Sequence, residues 1–229
     1  MAKIKLGAFI TDIAGKIGGT VFSKNKGGAY AKNKVTPSNP KTSYQTVIRA
    51  YMAAVSAAWR GLSYAQRNAF NAAAIGGFHK TVNGDTKILS GHQLHQELNM
   101  TLKQIGSSVI TSPPAQAAVA GVTNASVVLD DSAHTAVLTY TPAIPATDTW
   151  MLFGTGLNSP GKKNLNNQYR YIRKLVAADV SPFDFTTDYA AKFGTVGGVG
   201  LRADFKLIPV VTLSGLRGQA LSCTTLVQA

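Results

Sequence analysis

The first forty residues limit the fold most strongly, because they carry strand patterns without the large apolar side chains that a core needs. The stretch from Ile17 to Pro40 holds four lysines, four glycines and the aromatic residues Phe22 and Tyr30. Two strand-like runs, 20–23 and 29–32, flank a turn of Asn, Lys and Gly residues, of which Asn and Gly tolerate positive φ. The pattern predicts a basic β-hairpin. Because an isolated two-stranded ribbon is marginally stable in water, we expect this extended arm to order on a partner.

Positive charge is concentrated in the same arm. The whole chain has 23 lysines and arginines against 10 acidic residues, a net charge of +13, and residues 1–49 hold nine of these cations with a single acid. A basic arm favours nucleic acid or an acidic protein surface as partner, since each lysine that neutralises a phosphate releases counterions. A solvated, flexible tail is the alternative. The predicted partner-binding residues of the arm are Lys16, Phe22, Lys24, Lys26, Tyr30, Lys32, Lys34 and Lys41.

Cysteine content and hydropathy narrow the class of protein. The single cysteine, Cys223, excludes an intramolecular disulfide and a cysteine-rich zinc cluster, and its alternating surroundings predict a small buried apolar residue. The N-terminus lacks the apolar segment of a signal peptide, and no window has the run of apolar residues that a membrane span needs. We therefore expect a protein that is made in the cytoplasm of its producing cell and has no membrane partner.

Residues 41–107 have the spacing of short amphipathic helices. Apolar residues recur every three or four positions over 44–60 and 92–105. A middle helix begins with a capping-box pattern at Ser63 and stops at the Gly76-Gly77 pair. Between it and the last helix, Asn83-Gly84 predicts a hairpin turn. We expect the three helices to form a small bundle.

Four residues at the junction of the first two helices are predicted to pack these helices against each other: Trp59, Leu62, Arg67 and Phe70. They belong to a W-x-x-L-x-x-x-Q-R-x-x-F pattern that spans a tight turn. For Trp59 and Phe70 we favour core packing of a helical hairpin, whereas Arg67 is left open between a surface position and a partner contact. A DNA-binding helix-turn-helix is an alternative, but the second helix lacks a base-reading face rich in Arg, Asn and Gln.

A serine- and proline-rich stretch, 107–116, separates the helical patterns from a region of strand patterns. Six or seven short strands with turn residues between them predict a β-sandwich of the immunoglobulin or fibronectin type III kind. Pro209 predicts an edge position or a bulge in the penultimate strand. The predicted fold class is therefore α+β and multidomain: an extended arm with a hairpin (1–40), a small helical segment (41–107) and an immunoglobulin-like sandwich (108–229). The predicted strands are 126–129, 136–140, 150–154, 169–176, 201–211 and 220–227.

Residues that could carry catalysis or bind a metal do not form a recognisable site. His92 and His95 lie three positions apart near Glu97, but two ligands make a weak metal site, and we favour a solvated or capping role for these histidines. The aspartates fit no calcium loop, and turns favour aspartate on their own account. Neither a phosphate-binding loop nor a nucleophile elbow is present. We expect a protein that is not an enzyme and that needs no cofactor or metal.

Three segments together resemble a known class of proteins: GKIGGTVFSKNKGGAYAKNKVTPSNPKT, AWRGLSYAQRNAFNAAA and GHQLHQELNMTLKQIG. With the predicted sandwich that follows, they look like tailed-phage and prophage virion proteins in which a basic, glycine-rich arm and a helical segment precede an immunoglobulin-like domain. The resemblance implies a non-enzymatic structural component of the virion, made in the host cytoplasm. Its implied partners are copies of itself and other virion proteins, with packaged nucleic acid as a further candidate for the arm. It carries over no catalytic residues.

Two functions follow as expectations. The first is a bacteriophage structural protein of the capsid, connector or tail, which assembles with neighbouring subunits through its arm and helices. Arm exchange is the expected mechanism, with hairpin strands added to a neighbour's sheet. The second is an accessory protein that binds or packages DNA through the basic arm.

Overall fold

A computed structural model describes residues 2–7, 10–25, 28–36, 38–82, 85–162 and 165–229. The chain divides into two compact units, Met1–Thr46 and Val47–Ala229, with the division in the first turn of a long helix. The described part of the chain forms four helices together with sheets whose strands are mostly antiparallel, so the predicted α+β class is confirmed.

The first unit is a small sheet of four antiparallel strands in the order β1-β4-β3-β2. Strands β3 and β4 form the predicted hairpin, which is confirmed: Thr20 lies opposite Asn33 and Asn25 lies opposite Gly28. The turn residues Lys26 and Gly27 lie outside the described residues. A second turn, in which Gly18 adopts a φ of 58°, connects β2 to β3. The strands are β1 Ala2–Lys3, β2 Gly15–Ile17, β3 Thr20–Asn25 and β4 Gly28–Asn33.

The next region forms the three predicted helices, α1 Ser43–Gly61, α2 Tyr64–Gly76 and α3 Gly91–Ile105. The predicted capping box at Ser63 is confirmed, because its side chain accepts from the backbone N–H of Gln66 while the Gln66 side chain accepts from Ser63 N. Each of these hydrogen bonds satisfies a backbone N–H at the start of the helix, where no carbonyl of the helix itself is available to accept it.

Helix α3 begins one residue earlier than predicted, because Ser90 and Gln93 form a second capping box that the sequence analysis missed. It ends at Gly106, which adopts the left-handed conformation with a φ of 79°. Strands β5 (His79–Val82) and β6 (Asp85–Ile88) pair between α2 and α3. The predicted turn at Asn83-Gly84 lies outside the described residues.

The rest of the chain forms one curled, seven-stranded sheet in the order β10-β9-β12-β13-β7-β8-β11. Strand β13 pairs antiparallel with β12 over Leu221–Leu226 and then runs parallel to β7 at Val227 and Gln228. Because β13 changes partner along its length, the sheet curls there and its two halves share one apolar core. The strands are β7 Asn124–Asp130, β8 Thr135–Thr141, β9 Asp148–Gly154, β10 Arg170–Leu175, β11 Phe183–Asp184, β12 Arg202–Val211 and β13 Leu221–Gln228.

All six predicted strands are confirmed, with ends that differ by two residues at most. The short strand β11 and helix α4, Thr186–Phe193, were not predicted. Pro209 was predicted to mark an edge strand or a bulge. Strand β12 is not an edge strand, because it lies between β9 and β13, but Pro209 itself is not paired with β13. Pairing with β13 stops at Leu207, and the Pro209 carbonyl instead accepts from Gly218 N at 2.8 Å. Proline has no backbone N–H to donate, and at this position β13 is not there to accept one.

Helix α3 packs on the outer face of the curled sheet. Leu102 and Ile105 of this helix form a buried cluster with Met151 of β9 and Val210 of β12. The neighbours of Met151, Trp150 and Leu152, point into the sheet's own core, which explains why β9 is buried on both faces. Helices and sheet thus share packing within residues 47–229, and the predicted three-part division of the chain stays a prediction.

Candidate partner-binding surface

Strand alternation distributes the predicted arm residues over both faces of the small sheet. Register places Lys16 of β2 opposite Val21 of β3, which lies opposite Lys32 of β4, so the two lysines share a face. Tyr30 lies on the same face, two residues before Lys32. Lys24 lies on the other face, which it shares with Phe22.

Lys34 and Lys41 lie on the irregular chain after β4. The backbone N–H of Lys34 donates to Gly19 O at 2.7 Å, which extends the hairpin by one residue. Lys41 has a φ of 47°, and Lys26 lies outside the described residues. The five described lysines of the predicted set are exposed and form no ion pair with any residue that the structure describes. Asp12 is the only acidic residue of Met1–Thr46, so this unit presents a largely uncompensated positive charge.

The N-terminal part of the chain buries very little. Among residues 4–61, for which burial is described except at 8, 9, 25–27 and 37, only Ala29 and Val55 are buried. Phe22 and Tyr30 are half-buried, whereas Ile17 is 70% and Val35 is 79% exposed. A sheet that buries a single alanine has almost no hydrophobic stabilisation of its own.

Helix α1 has an apolar stripe that is fully buried only at Val55, near its C-terminal end, while Ile48 and Tyr51 in its middle are half-buried. Val55 is buried and Trp59 is half-buried against α2 and α3. Tyr44, Val47 and Met52, on the same stripe, are 50%, 43% and 41% exposed. The predicted bundle therefore consists mainly of α2 and α3, and the first three turns of α1 present apolar side chains to solvent. The exposed stripe was not predicted from sequence, because its periodicity is the same as that of a buried helix.

The predicted helical-packing residues meet at the junction of α1 and α2. Trp59, Leu62 and Phe70 belong to one apolar cluster, in which the rings of Trp59 and Phe70 are 6.0 Å apart in an edge-to-face arrangement. Arg67 does not belong to the apolar core. Its Nη2 donates to the Arg60 carbonyl at 2.7 Å, which satisfies an acceptor at the C-terminal end of α1.

His95 lies in the middle of this cluster, so the predicted solvated or capping role is wrong for this residue. Its side chain is fully buried, and neither ring nitrogen has a hydrogen-bond partner. Trp59 and Phe70 lie 5.2 and 5.1 Å away, ring centroid to centroid. Burial, with a smaller contribution from the nearby His92, lowers the pKa of His95 from 6.5 to about 4. His95 is therefore neutral at physiological pH.

The other titratable residues considered as sites have structural contacts. Asp130 accepts from Ser132 Oγ and Ala133 N in a turn, and these hydrogen bonds hold its pKa below the usual 3.8. Asp188 pairs with Arg173 at 2.9 Å. Among the residues that the structure describes, no three histidine, cysteine or acidic side chains lie close enough to hold a metal ion.

Comparison of the chain with protein families, with curated proteins and with solved structures finds no match. Within the described part of the chain, every helix is too short or too polar to span a bilayer. The features that bear on function are therefore the exposed stripe of α1, the basic sheet and the packing of residues 47–229.

Proposed function

We propose that this chain is a non-enzymatic structural component of a bacteriophage virion, which assembles through its N-terminal sheet and helix α1 with neighbouring copies and other virion proteins. The observation that carries the proposal is the burial of only two side chains among the described residues 4–61. Fully burying a large apolar side chain contributes about 1.5–3 kcal/mol. Ordering each residue's backbone costs about 1–2 kcal/mol. A segment with so little burial is stabilised by a partner that covers it.

Two further features support an assembly role. The quoted segments resemble virion proteins in which an arm and a helical segment precede an immunoglobulin-like domain, and the curled sheet is the part of this chain that corresponds to that domain. We propose that this sheet is a β-sandwich of that kind: most of its pairs are antiparallel, and its buried Trp150 lies on the third strand of the sheet region. In a symmetric particle, the same weak contact is repeated many times, so each copy needs only a modest interface.

Helix α1 provides a direct test of assembly. Placing glutamate at Val47 and Met52 (V47E and M52E together) is expected to weaken self-association at least tenfold, because a carboxylate is costly to bury without a partner. Both positions are exposed in the isolated chain, so the fold should be unaffected. Sedimentation velocity over a range of protein concentrations measures the change.

Ala53 and Ala57 provide the matched control, since both are exposed and lie on the opposite side of α1. The A53E/A57E variant carries the same added charge and is expected to assemble like the unchanged protein. If the two double variants assemble equally well, or if the unchanged protein stays monomeric at every concentration, α1 is not an assembly surface.

A DNA-binding or DNA-packaging accessory protein is the second candidate, favoured by one observation: Lys16 and Lys32 lie in a single row of the sheet with Tyr30 beside them. Lysines pair with phosphates, and an aromatic ring can stack on an unpaired base. The K16Q/K32Q variant is expected to bind DNA more weakly at low salt, and its binding should release about two fewer counterions, which makes it less dependent on salt. The K24Q/K34Q variant, with the same net charge, should lose less affinity. Absence of DNA binding by the unchanged protein at low salt would contradict this candidate.

A further inference from the structure

An open cleft of about 440 Å³ lies in the unit formed by residues 47–229, between the chain that follows β9 and the end of α4. Its polar lining consists of carboxamides and cations: Asn158, Asn167, Gln168, Arg170 and Lys192. The described lining contains no acidic residue. Its volume is within the range of sites for small molecules, about 300–1,000 Å³. This cleft takes no part in the proposed assembly surface.

Both cations of the cleft are uncompensated. Arg170 and Lys192 are exposed and form no ion pair with any described residue. Asp204 does not neutralise them, because both of its carboxylate oxygens accept from Arg202 at 2.9 Å. The Arg170 guanidinium instead lies over the ring of Phe193, 5.8 Å from its centroid, which limits the orientations of the guanidinium. Two positive groups thus face a space in which an anion would neutralise both.

Core elements hold the walls of the cleft in place. Phe193 packs against the buried Tyr189, with ring centroids 5.1 Å apart. On the opposite wall, Asn158 exchanges two backbone hydrogen bonds with Arg202, at 2.9 and 2.8 Å. Arg170 begins strand β10 and pairs with Gly154 of β9. A cleft whose walls are fixed in this way does not have to be ordered when a ligand binds.

We propose that this cleft binds a small anionic sugar, a monosaccharide that carries a carboxylate or a phosphate group. The anion would pair with Arg170 and Lys192, since charge-assisted hydrogen bonds to guanidinium and ammonium groups are the strong ones. The carboxamides of Asn167 and Gln168 indicate which chemical groups the rest of the ligand carries. Each carboxamide both donates and accepts, which matches a hydroxyl group, whereas a bare anion offers acceptors alone. A nucleobase fits less well, because Tyr189 and Arg170 already pack against the ring of Phe193.

The experiment is a calorimetric titration of the full chain with glucuronate, glucose 6-phosphate, glucose and inorganic phosphate. Saturation-transfer NMR with the same four compounds is a second readout. At least one of the two anionic sugars is expected to bind at least tenfold more tightly than glucose and than phosphate. Binding of glucuronate alone would assign a carboxylate ligand, and binding of glucose 6-phosphate alone would assign a phosphate ligand.

Two variants test whether binding occurs in this cleft. R170Q and K192Q are each expected to weaken binding of the anionic sugar about tenfold, by removing a charge-assisted contact. The control R60Q removes one charge from the exposed end of α1 and should leave binding unchanged. The V47E/M52E variant should also bind normally, so failure of the assembly proposal would not affect this test. The inference is overturned if neither anionic sugar binds, if phosphate alone binds equally well, or if R170Q and K192Q bind like R60Q.

Discussion

Lowering the pH from 7 to 4 is expected to remove about 3 kcal/mol from the free energy of unfolding of the unit formed by residues 47–229, through the titration of His95. Burial lowers the pKa of this histidine from 6.5 to about 4 in the folded chain. Between these two values the unfolded chain binds a proton that the folded chain excludes. The stabilising contribution is therefore fully present above pH 6.5 and is lost progressively as the pH falls towards 4.

The physical cause lies in the apolar surroundings of the ring. His95 has no hydrogen-bond partner at either nitrogen, and the aromatic rings of Trp59 and Phe70 lie against it. The positive charge on a protonated ring would have neither water nor a carboxylate to stabilise it. The pKa values of Asp130 and Asp184 lie below 3.8, so these carboxylates lose their contributions at still lower pH.

Replacing His95 by phenylalanine isolates this effect. The H95F variant removes the titrating group without breaking a hydrogen bond, and its stability at pH 7 is expected to be similar to that of the unchanged protein. Its urea midpoint should depend much less on pH between 6.5 and 4. The control Y64F changes an exposed aromatic residue at the start of α2, leaves every histidine in place and should keep the original pH dependence. Equal pH dependence of H95F and the unchanged protein would contradict the assignment.

The burial of His95 could have been predicted from periodicity, but the residue type was misleading. A helical wheel places His95 directly beside the apolar arc defined by Leu94, Leu98, Leu102 and Ile105. Histidine is more often solvated or a ligand than buried without a partner, so the residue type by itself indicates a polar role. The aromatic rings that accept it come from α1 and α2, and their approach depends on tertiary packing.

Local chemistry made most helix and strand boundaries predictable. The capping box at Ser63 and the left-handed Gly106 act within one turn of the chain, where sequence signals are strongest. Helix α4 was missed because Phe185, its N-cap residue, makes no side-chain capping bond. The curl of the sheet was also not predictable. It depends on the change of partner of β13 from β12 to β7, and the alternation within β13 is the same for either partner.

The predicted partner-binding residues of the arm were chosen by charge and aromatic character, and the structure shows which of the described ones share a surface. Register separates Lys24 from Lys16 and Lys32, and sequence alone fixes such a register only where the turn is known. The exposed stripe of α1 and the cleft beside α4 were missed for a related reason. An apolar stripe looks the same whether it is covered or open, and the residues of the cleft lie up to 37 positions apart. Only the fold brings them together.

Replacing Asn99 by leucine is expected to lower the free energy of unfolding of residues 47–229 by about 2–4 kcal/mol, since the backbone groups of Ile110 lose their hydrogen bonds. Asn99 is fully buried on α3. Its Oδ1 accepts from Ile110 N at 2.7 Å, and its Nδ2 donates to the Ile110 carbonyl at 3.4 Å and to the His95 carbonyl at 2.9 Å. Leucine has a similar size but can replace none of these contacts.

The loss of stability should be largest in the chain that follows α3, which Asn99 holds through its hydrogen bonds to Ile110. Ile110 packs against both the helical cluster and the cluster between α3 and the sheet, so its backbone connects the two. In N99L, the Ile110 amide is expected to exchange its hydrogen at least about tenfold faster, and urea unfolding should begin at a lower concentration. The control N124L changes an exposed asparagine at the start of β7 and should alter stability by less than about 0.5 kcal/mol. If N99L and N124L unfold at the same urea concentration, the contact between Asn99 and Ile110 does not hold this segment to α3.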